Sequence, residues 1–442
     1  MQNDKTTLRD LSIFGAQGED IASLIDRCST NAGRDYLRSY VRTPPVSYED
    51  LLAMQDVIRW WSGNEDAWTT VISNGTIVML EKFYEAADTM MQAPGGIAMI
   101  LGNVFHKFLN RNEYTFVQFS LTQLSDFLKG MQALTELLHR ADLPKRLGTE
   151  LEMIRTEISH ALVPEIVGIT KKTPYSQLLR LAFRARRELK SPIQRLILHY
   201  ARLDTWQGLG RATAALGWNF PRLRPALPVR LNAAGLYHPL LSTPVAYDIA
   251  FDASQHFLLL TGANMSGKTT FMRSLGVAAL LSHLGMGVPA KSLEMSFLQG
   301  VITNMHVEDN LLRGESFFFA EVQRMKGTAQ RIVGEQPNLV LMDELFKGTN
   351  VHDAYECTRA VVEGLLHHPR HLMVLSTHIH EVAHYFENRS DILFAYFVTT
   401  MAEDGSFKFR YELRPGISND RIGYRILRQE GIIDLLNNSS DV

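Results

Sequence analysis

The chain has 442 residues, long enough for two or three domains with cores of their own. With 45 Lys+Arg against 47 Asp+Glu and 45% hydrophobic residues, it is neither a low-complexity chain nor a polyion, so any nucleic-acid contact falls to a local basic patch. Cys28 and Cys357 lie far apart without metal-ligand spacing, the start MQNDKTTLRD is polar, and no apolar run approaches about 18 residues, which predicts a cytoplasmic protein with no membrane partner.

The first half reads as helical. Ile21, Leu24 and Ile25 recur at helical spacing before the capping residues Ser29-Thr30-Asn31, and a second helix follows through Tyr36, Leu37, Tyr40 and Val41. Pro44-Pro45 breaks it, and Ser47-x-x-Asp50 predicts the N-cap of a third helix carrying Leu51, Leu52, Met54, Val57 and Ile58. Amphipathic stretches continue to about Trp218, with breaks expected at Pro94-Gly95-Gly96 and Leu143-Pro144. The basic run at 180–190, RLAFRARRELK, reads as the solvated side of a long helix in preference to a nucleic-acid face.

Three prolines at 219–229 mark the passage to a second domain, so the chain divides into an all-α part, 1–228, and an α/β part, 229–442. In the latter, apolar runs at 256–261, 298–303, 338–342, 371–376, 392–398 and 407–413 alternate with helical patterns. This predicts a largely parallel sheet covered by helices, with antiparallel strands near Phe407.

Residues 258–270, LLLTGANMSGKTT, set the P-loop (Walker A) pattern Gly262-x-x-x-x-Gly267-Lys268-Thr269 between a predicted strand and a predicted helix. That context suits ATP. The backbone of Gly262, Ala263, Asn264, Met265, Ser266, Gly267, Lys268, Thr269 and Thr270 can close around a triphosphate, and the helix N-terminus adds partial positive charge. Lys268 can reach the outer phosphates, and the Thr269 hydroxyl is placed to ligate Mg2+.

The run NLVLMDE at 338–344 is a strand ending in two acids, the Walker B pattern. Asp343 is expected to hold Mg2+, directly or through water, and Glu344 to orient or deprotonate the attacking water. At 375–378, LSTH ends the next strand, where His378 can hydrogen-bond that water or the terminal phosphate; His380 and His384 read as solvent-facing. GESFFFAE at 314–321 is a turn into a helix. Its Ser316 either binds a phosphate at the helix N-terminus or caps a helix whose residues Phe317 to Phe319 are merely buried, and the pattern does not choose.

Together these segments resemble the MutS family, the ABC-type ATPases of DNA mismatch repair. The resemblance rests on TGANMSGKTT, GMGVPA at 285–290, DNLLRGESFFFAE at 309–321, LVLMDELFKGTNVHDA at 339–354 and LSTHIHE at 375–381. LIDRCSTNAGRDYLRSYVRTPP at 24–45, followed by AMQDVI, resembles the start of the family's core domain. The resemblance implies a helical core/lever domain ahead of the ATPase domain, ATP and Mg2+ as cofactors, and a homodimer sharing two ATP molecules. It further implies that Ser316 acts in trans on the partner's ATP, that Thr349, Asn350 and Asp353 form a loop crossing the interface, and that 244–248 lie on the adenine side.

This sequence departs from the family pattern in three places. No room is expected before Leu24 for the mismatch-reading and connector domains, and only about 20 residues follow Gly423-Tyr424. Glu315 stands beside the signature serine where family members tend to be basic. The expectation is therefore an ATP-hydrolysing homodimeric clamp on DNA, structured or branched rather than mismatched. The alternative is an ATP-gated interaction module for a protein or RNA/ribosome partner.

Overall fold

The computed structural model describes residues 4–15, 19–85, 111–305, 317–401, 407–418 and 432. Pro94-Gly95-Gly96, Glu315 and Ser316 lie outside them. The chain forms two compact units: residues 25–41 with 53–216, and residues 1–24 and 42–52 with 217–442.

Among the described residues, the α-helices of the first half are α1 (Lys5–Asp10), α2 (Ile21–Ile25), α3 (Asn31–Arg42), α4 (Tyr48–Gly63), α5 (Asn74–Glu85), α6 (Arg111–Thr135), α7 (Lys145–Ile158), α8 (Val163–Val167), α9 (Tyr175–Glu188) and α10 (Lys190–Ala215). Along α6, Val117, Leu121, Leu124, Leu128, Met131 and Leu134 recur at three- and four-residue spacing and are buried, which makes it the packing centre of its unit. The anticipated caps form: the Thr30 hydroxyl accepts the Gly33 N–H at 3.2 Å, and the Ser47 hydroxyl accepts the Asp50 N–H at 3.1 Å. The buried carboxylate of Asp204, on α10, accepts from the N–H groups of Ser29 (2.8 Å) and Thr30 (2.9 Å) and from the Thr30 hydroxyl (2.7 Å), tying the start of α3 to α10. Gly33 is required there, because a Cβ would lie 2.2 Å from an Asp204 oxygen.

The basic run falls on α9 and is partly consumed inside the unit. Arg186 is buried with its guanidinium 4.5 Å over the Phe83 ring, and Arg184 pairs with Glu165 (2.9 Å) and Glu188 (3.1 Å). Arg180 and Arg187 are exposed.

The second unit holds two sheets. Strands β1 (Arg222–Arg224), β2 (Arg230–Leu236), β3 (Tyr247–Asp252) and β5 (Ser292–Ser296) form a four-stranded sheet in the order β1-β5-β2-β3. Strands β4 (Phe257–Thr261), β6 (Gly300–Asn304), β7 (Asn338–Asp343), β8 (Leu372–Ser376), β9 (Ile392–Met401) and β10 (Phe407–Pro415) form a six-stranded sheet in the order β10-β9-β4-β8-β7-β6. The larger sheet is parallel apart from the β9–β10 hairpin, and it is covered by α11 (Lys268–His283), α12 (Phe317–Ile332), α13 (Val351–Leu366) and α14 (His380–Tyr385). Every residue of β4 and β8 is buried, as a parallel strand covered on both faces requires; this is why both strands read as unbroken apolar runs.

The smaller sheet was not anticipated. Its strands carry charged residues at alternate positions, and Arg222, Arg224 and Arg230 converge on Glu294 at 3.7, 3.1 and 3.4 Å. Such half-buried strands lack the apolar run that reveals a central one.

Candidate nucleotide site

The site lies at the carboxyl edge of the parallel sheet, and the register of the strands assembles it. Leu260 of β4 pairs with Ser376 of β8, which also pairs with Asp343 of β7, so three strand ends meet around one hydroxyl. From β4 the chain turns through Gly262 (φ 133) and Gly267 (φ 110) into α11. Both conformations favour glycine. A Cβ on Gly262 would sit 3.4 Å from the Phe397 nitrogen, and one on Gly267 would sit 3.2 Å from the Tyr411 ring. Tyr247, Phe271 and Phe397 pack edge to face, with centroids 5.3, 5.8 and 6.1 Å apart, and brace the loop against β3, β9 and the first turn of α11. Met265, at the loop tip, is left-handed (φ 66) and 78% exposed.

Lys268 is buried, and its ammonium is bound by the carbonyls of Gly262 (2.8 Å) and Ala263 (2.9 Å). Burial lowers its pKa, opposed by Glu344, whose carboxylate is 3.7 Å away, and by Asp343. The Thr269 hydroxyl donates to Asp343 Oδ2 at 2.7 Å, and the Ser376 hydroxyl donates to Asp343 Oδ1. Ser266 is buried within the loop, and its hydroxyl has no hydrogen-bond partner among the described residues.

Glu344 follows β7 in a left-handed conformation (φ 50) that its backbone N–H, bonded to the Ser376 carbonyl at 3.0 Å, helps to hold. Three cations surround its carboxylate: Lys347 at 2.9 Å, Lys268 at 3.7 Å and His378 at 3.8 Å when protonated. His378 foremost, then Lys347 and Lys268, hold the Glu344 pKa down at about 2 against the burial that would raise it. His378 itself is exposed, as is His384, which lies 3.2 Å from Glu387.

Of the other expected residues, Asn350 caps α13 by accepting the Asp353 N–H at 3.0 Å and donating to its carboxylate at 2.7 Å, and Thr349 reaches the same carboxylate at 3.4 Å. All three side-chain contacts are exposed. In the segment 244–248, Tyr247 is the ring packed on Phe271, while Asp248 accepts the Gly235 N–H at 2.7 Å. Lys347 and Tyr411 were missed. Lys347 was legible only as a cation three residues after Glu344; Tyr411 sits at the irregularity between Phe409 and Leu413 in the β9–β10 pairing, which no local pattern announces.

Fold and loop together define a P-loop NTPase domain. Residues 258–438 match the family model MutS domain V, and it is this domain of the chain that is similar to the MutS family. The DNA mismatch repair protein MutS of Chloroflexus aurantiacus is 31% identical over 257 residues, 55% of this chain and 26% of that protein. MutS of an Exiguobacterium species is 29% identical over 261 residues (57% of this chain, 30% of that protein), and MutS of Treponema pallidum is 31% identical over 244 residues (52% and 26%). The chain thus spans between 26% and 30% of the length of these relatives. Among the described residues no helix is long and apolar enough to cross a membrane, and no three His, Cys, Asp or Glu side chains are grouped to hold a metal.

Proposed function

We propose that the chain binds and hydrolyses Mg-ATP as a MutS-like homodimer whose helical core/lever part, 1–228, engages DNA other than by mismatch reading. The supporting observation is the convergence of Lys268, Thr269, Asp343, Glu344 and His378 at one sheet edge, beside a loop whose bends need glycine. The residues fit the nucleotide and its metal. The Ser266 hydroxyl, without a partner among the described residues, is free to donate a hydrogen bond to a phosphate oxygen, and Thr269 with Asp343 supplies the hard oxygen ligands that Mg2+ takes alongside phosphate and water. Bound Mg2+ would neutralise charge developing on the phosphates.

The chain's own residues do the rest. Lys268 exchanges its loop carbonyls for phosphate oxygens, and Glu344 fixes the attacking water. Held anionic by His378, Lys347 and Lys268, Glu344 is able to orient that water and to accept its proton. His378 completes the water's hydrogen bonding from the end of β8. Tyr411 offers a half-exposed aromatic face beside the phosphate loop, a surface on which a purine can stack. Ser316 of the partner subunit, with the half-buried Thr349 and the exposed Asn350 and Asp353, closes the site across the dimer.

Two observations favour a second reading, an ATP-gated module for a protein or RNA/ribosome partner: the net charge is -2, and Arg184 and Arg186 are engaged internally. A titration separates the two. Glu344→Gln protein loaded with Mg-ATP is expected to bind one of duplex, mismatched, four-way-junction or single-stranded DNA, with affinity falling steeply between two salt concentrations. Binding to none of them would remove DNA from the account.

A further inference from the structure

We infer that Asp10 and Glu321 are positioning residues for Glu344, which makes the amino-terminal segment a working part of the hydrolytic site; the inference rests on the ATPase reading above. Helix α1 belongs to the sheet-bearing unit and lies on its edge strand, with the Thr7 hydroxyl 3.4 Å from the Val301 carbonyl of β6. Leu11 fills the space left by Gly276 on α11, where a Cβ would approach it to 2.5 Å.

Between these contacts Asp10 is buried, and its Oδ2 takes three donors: Arg324 at 2.6 Å, the Thr303 hydroxyl at 2.8 Å and the Met305 N–H at 3.3 Å. Arg324 also donates to the Thr303 carbonyl at 3.2 Å. One carboxylate oxygen therefore locks α1, the end of β6 and the middle of α12 together. A buried pair of this kind is stiff, because losing either member strands the other.

One turn back along α12, Glu321 is buried and turned to the loop that follows Glu344. Its two oxygens accept the N–H groups of Lys347 (3.2 Å) and Gly348 (3.1 Å). Gly348 is pressed onto the first turn of α12 so closely that a Cβ would lie 2.6 Å from the Phe317 ring and 2.7 Å from the Phe318 nitrogen. Lys347, held by its backbone, places its ammonium 2.9 Å from Glu344. A cavity of about 100 Å³, lined by Asn304, Phe317, Glu321, Asp343, Glu344 and Lys347, lies at the meeting point.

The path from Asp10 through Arg324, Glu321 and Lys347 thus fixes the carboxylate expected to orient water. The segment that bears Asp10 continues at residue 25 into the helical unit, one of the places where the chain passes from one unit to the other.

The test compares steady-state Mg-ATP hydrolysis with equilibrium ATP binding in Asp10→Asn, Glu321→Gln, Arg324→Met, the Asp10→Asn/Arg324→Met double variant and Asp4→Asn. In Asp10→Asn and Glu321→Gln, kcat is expected to fall about tenfold, within the range that small misplacements cost, while KM and ATP stoichiometry stay unchanged. The double variant should be no slower than Arg324→Met alone. Asp4→Asn weakens the exposed pair with Arg331, 2.7 Å apart near the far end of α12, while its amide oxygen can still accept the Thr7 N–H that caps α1, so it should turn over like wild type. Unchanged kcat in the first two variants overturns the inference, as does a fall in kcat matched by an equal fall in ATP stoichiometry, the mark of a merely structural role. If Asp10→Asn fails to fold, Glu321→Gln decides by the same criteria. Wild-type protein that binds but does not hydrolyse Mg-ATP overturns the ATPase reading and the inference with it; a hydrolysing wild type with unaffected variants overturns the inference alone.

Discussion

At the scale of single residues, burial and charge pull ionisable groups in opposite directions, and the outcome separates site from scaffold. Glu344 is partly buried yet kept anionic by His378, Lys347 and Lys268. His283 and His371 are buried, and desolvation first of all lowers each to about 4. Their unfolded imidazoles take up protons near 6.5, so the unfolded chain binds more protons below that pH. Stability from these two histidines is complete above about 6.5 and drains as pH falls towards 4, by on the order of 3 kcal/mol each at most. Urea midpoints at stepped pH should drop through that window, and replacing His371 with Gln should flatten its share; a flat profile from 6.5 to 4 would refute the assignment. Loss of the Glu344 contribution comes lower, between about 4.5 and 2. At this scale the sequence made Lys268, Thr269, Asp343 and Glu344 recognisable, because strand, loop and acid pair are local patterns. Lys347 and Tyr411 depend on loop geometry and a strand irregularity and were not recognisable.

At the scale of elements, the helices and strands found from periodicity are those with a continuous apolar face or a fully buried run. Strands β4, β7 and β8 lie within a residue or two of their expected places. The four-stranded sheet escaped notice because its strands are short, half-buried and rich in arginine. Nor did helical spacing reveal that α1 packs with the sheets, since an amphipathic turn says only that one face is buried. The same physics predicts where an element can be undone. Asp204→Ala would leave the N–H groups of Ser29 and Thr30 and the Thr30 hydroxyl without their acceptor. The expected cost is on the order of 3 kcal/mol, with fraying of α3. Hydrogen exchange at residues 29–34 should accelerate selectively in that variant, and unchanged protection there would contradict the role given to Asp204.

For the whole molecule, a P-loop domain that matches MutS domain V carries a function proposed from its geometry. If Ser316 acts in trans, turnover per chain must rise with protein concentration and saturate as dimers form, by mass action. A rate per chain that is constant across the dimerisation range seen by sedimentation would contradict the trans arrangement and leave each chain hydrolysing alone. The central claim, that this sheet edge hydrolyses ATP through Glu344, is tested most directly by phosphate release in a single turnover of Mg-ATP by wild-type and Glu344→Gln protein. The account predicts that both bind ATP and that the variant releases phosphate about 100- to 10,000-fold more slowly. Equal rates in the two proteins, or a wild type that releases no phosphate, would contradict it.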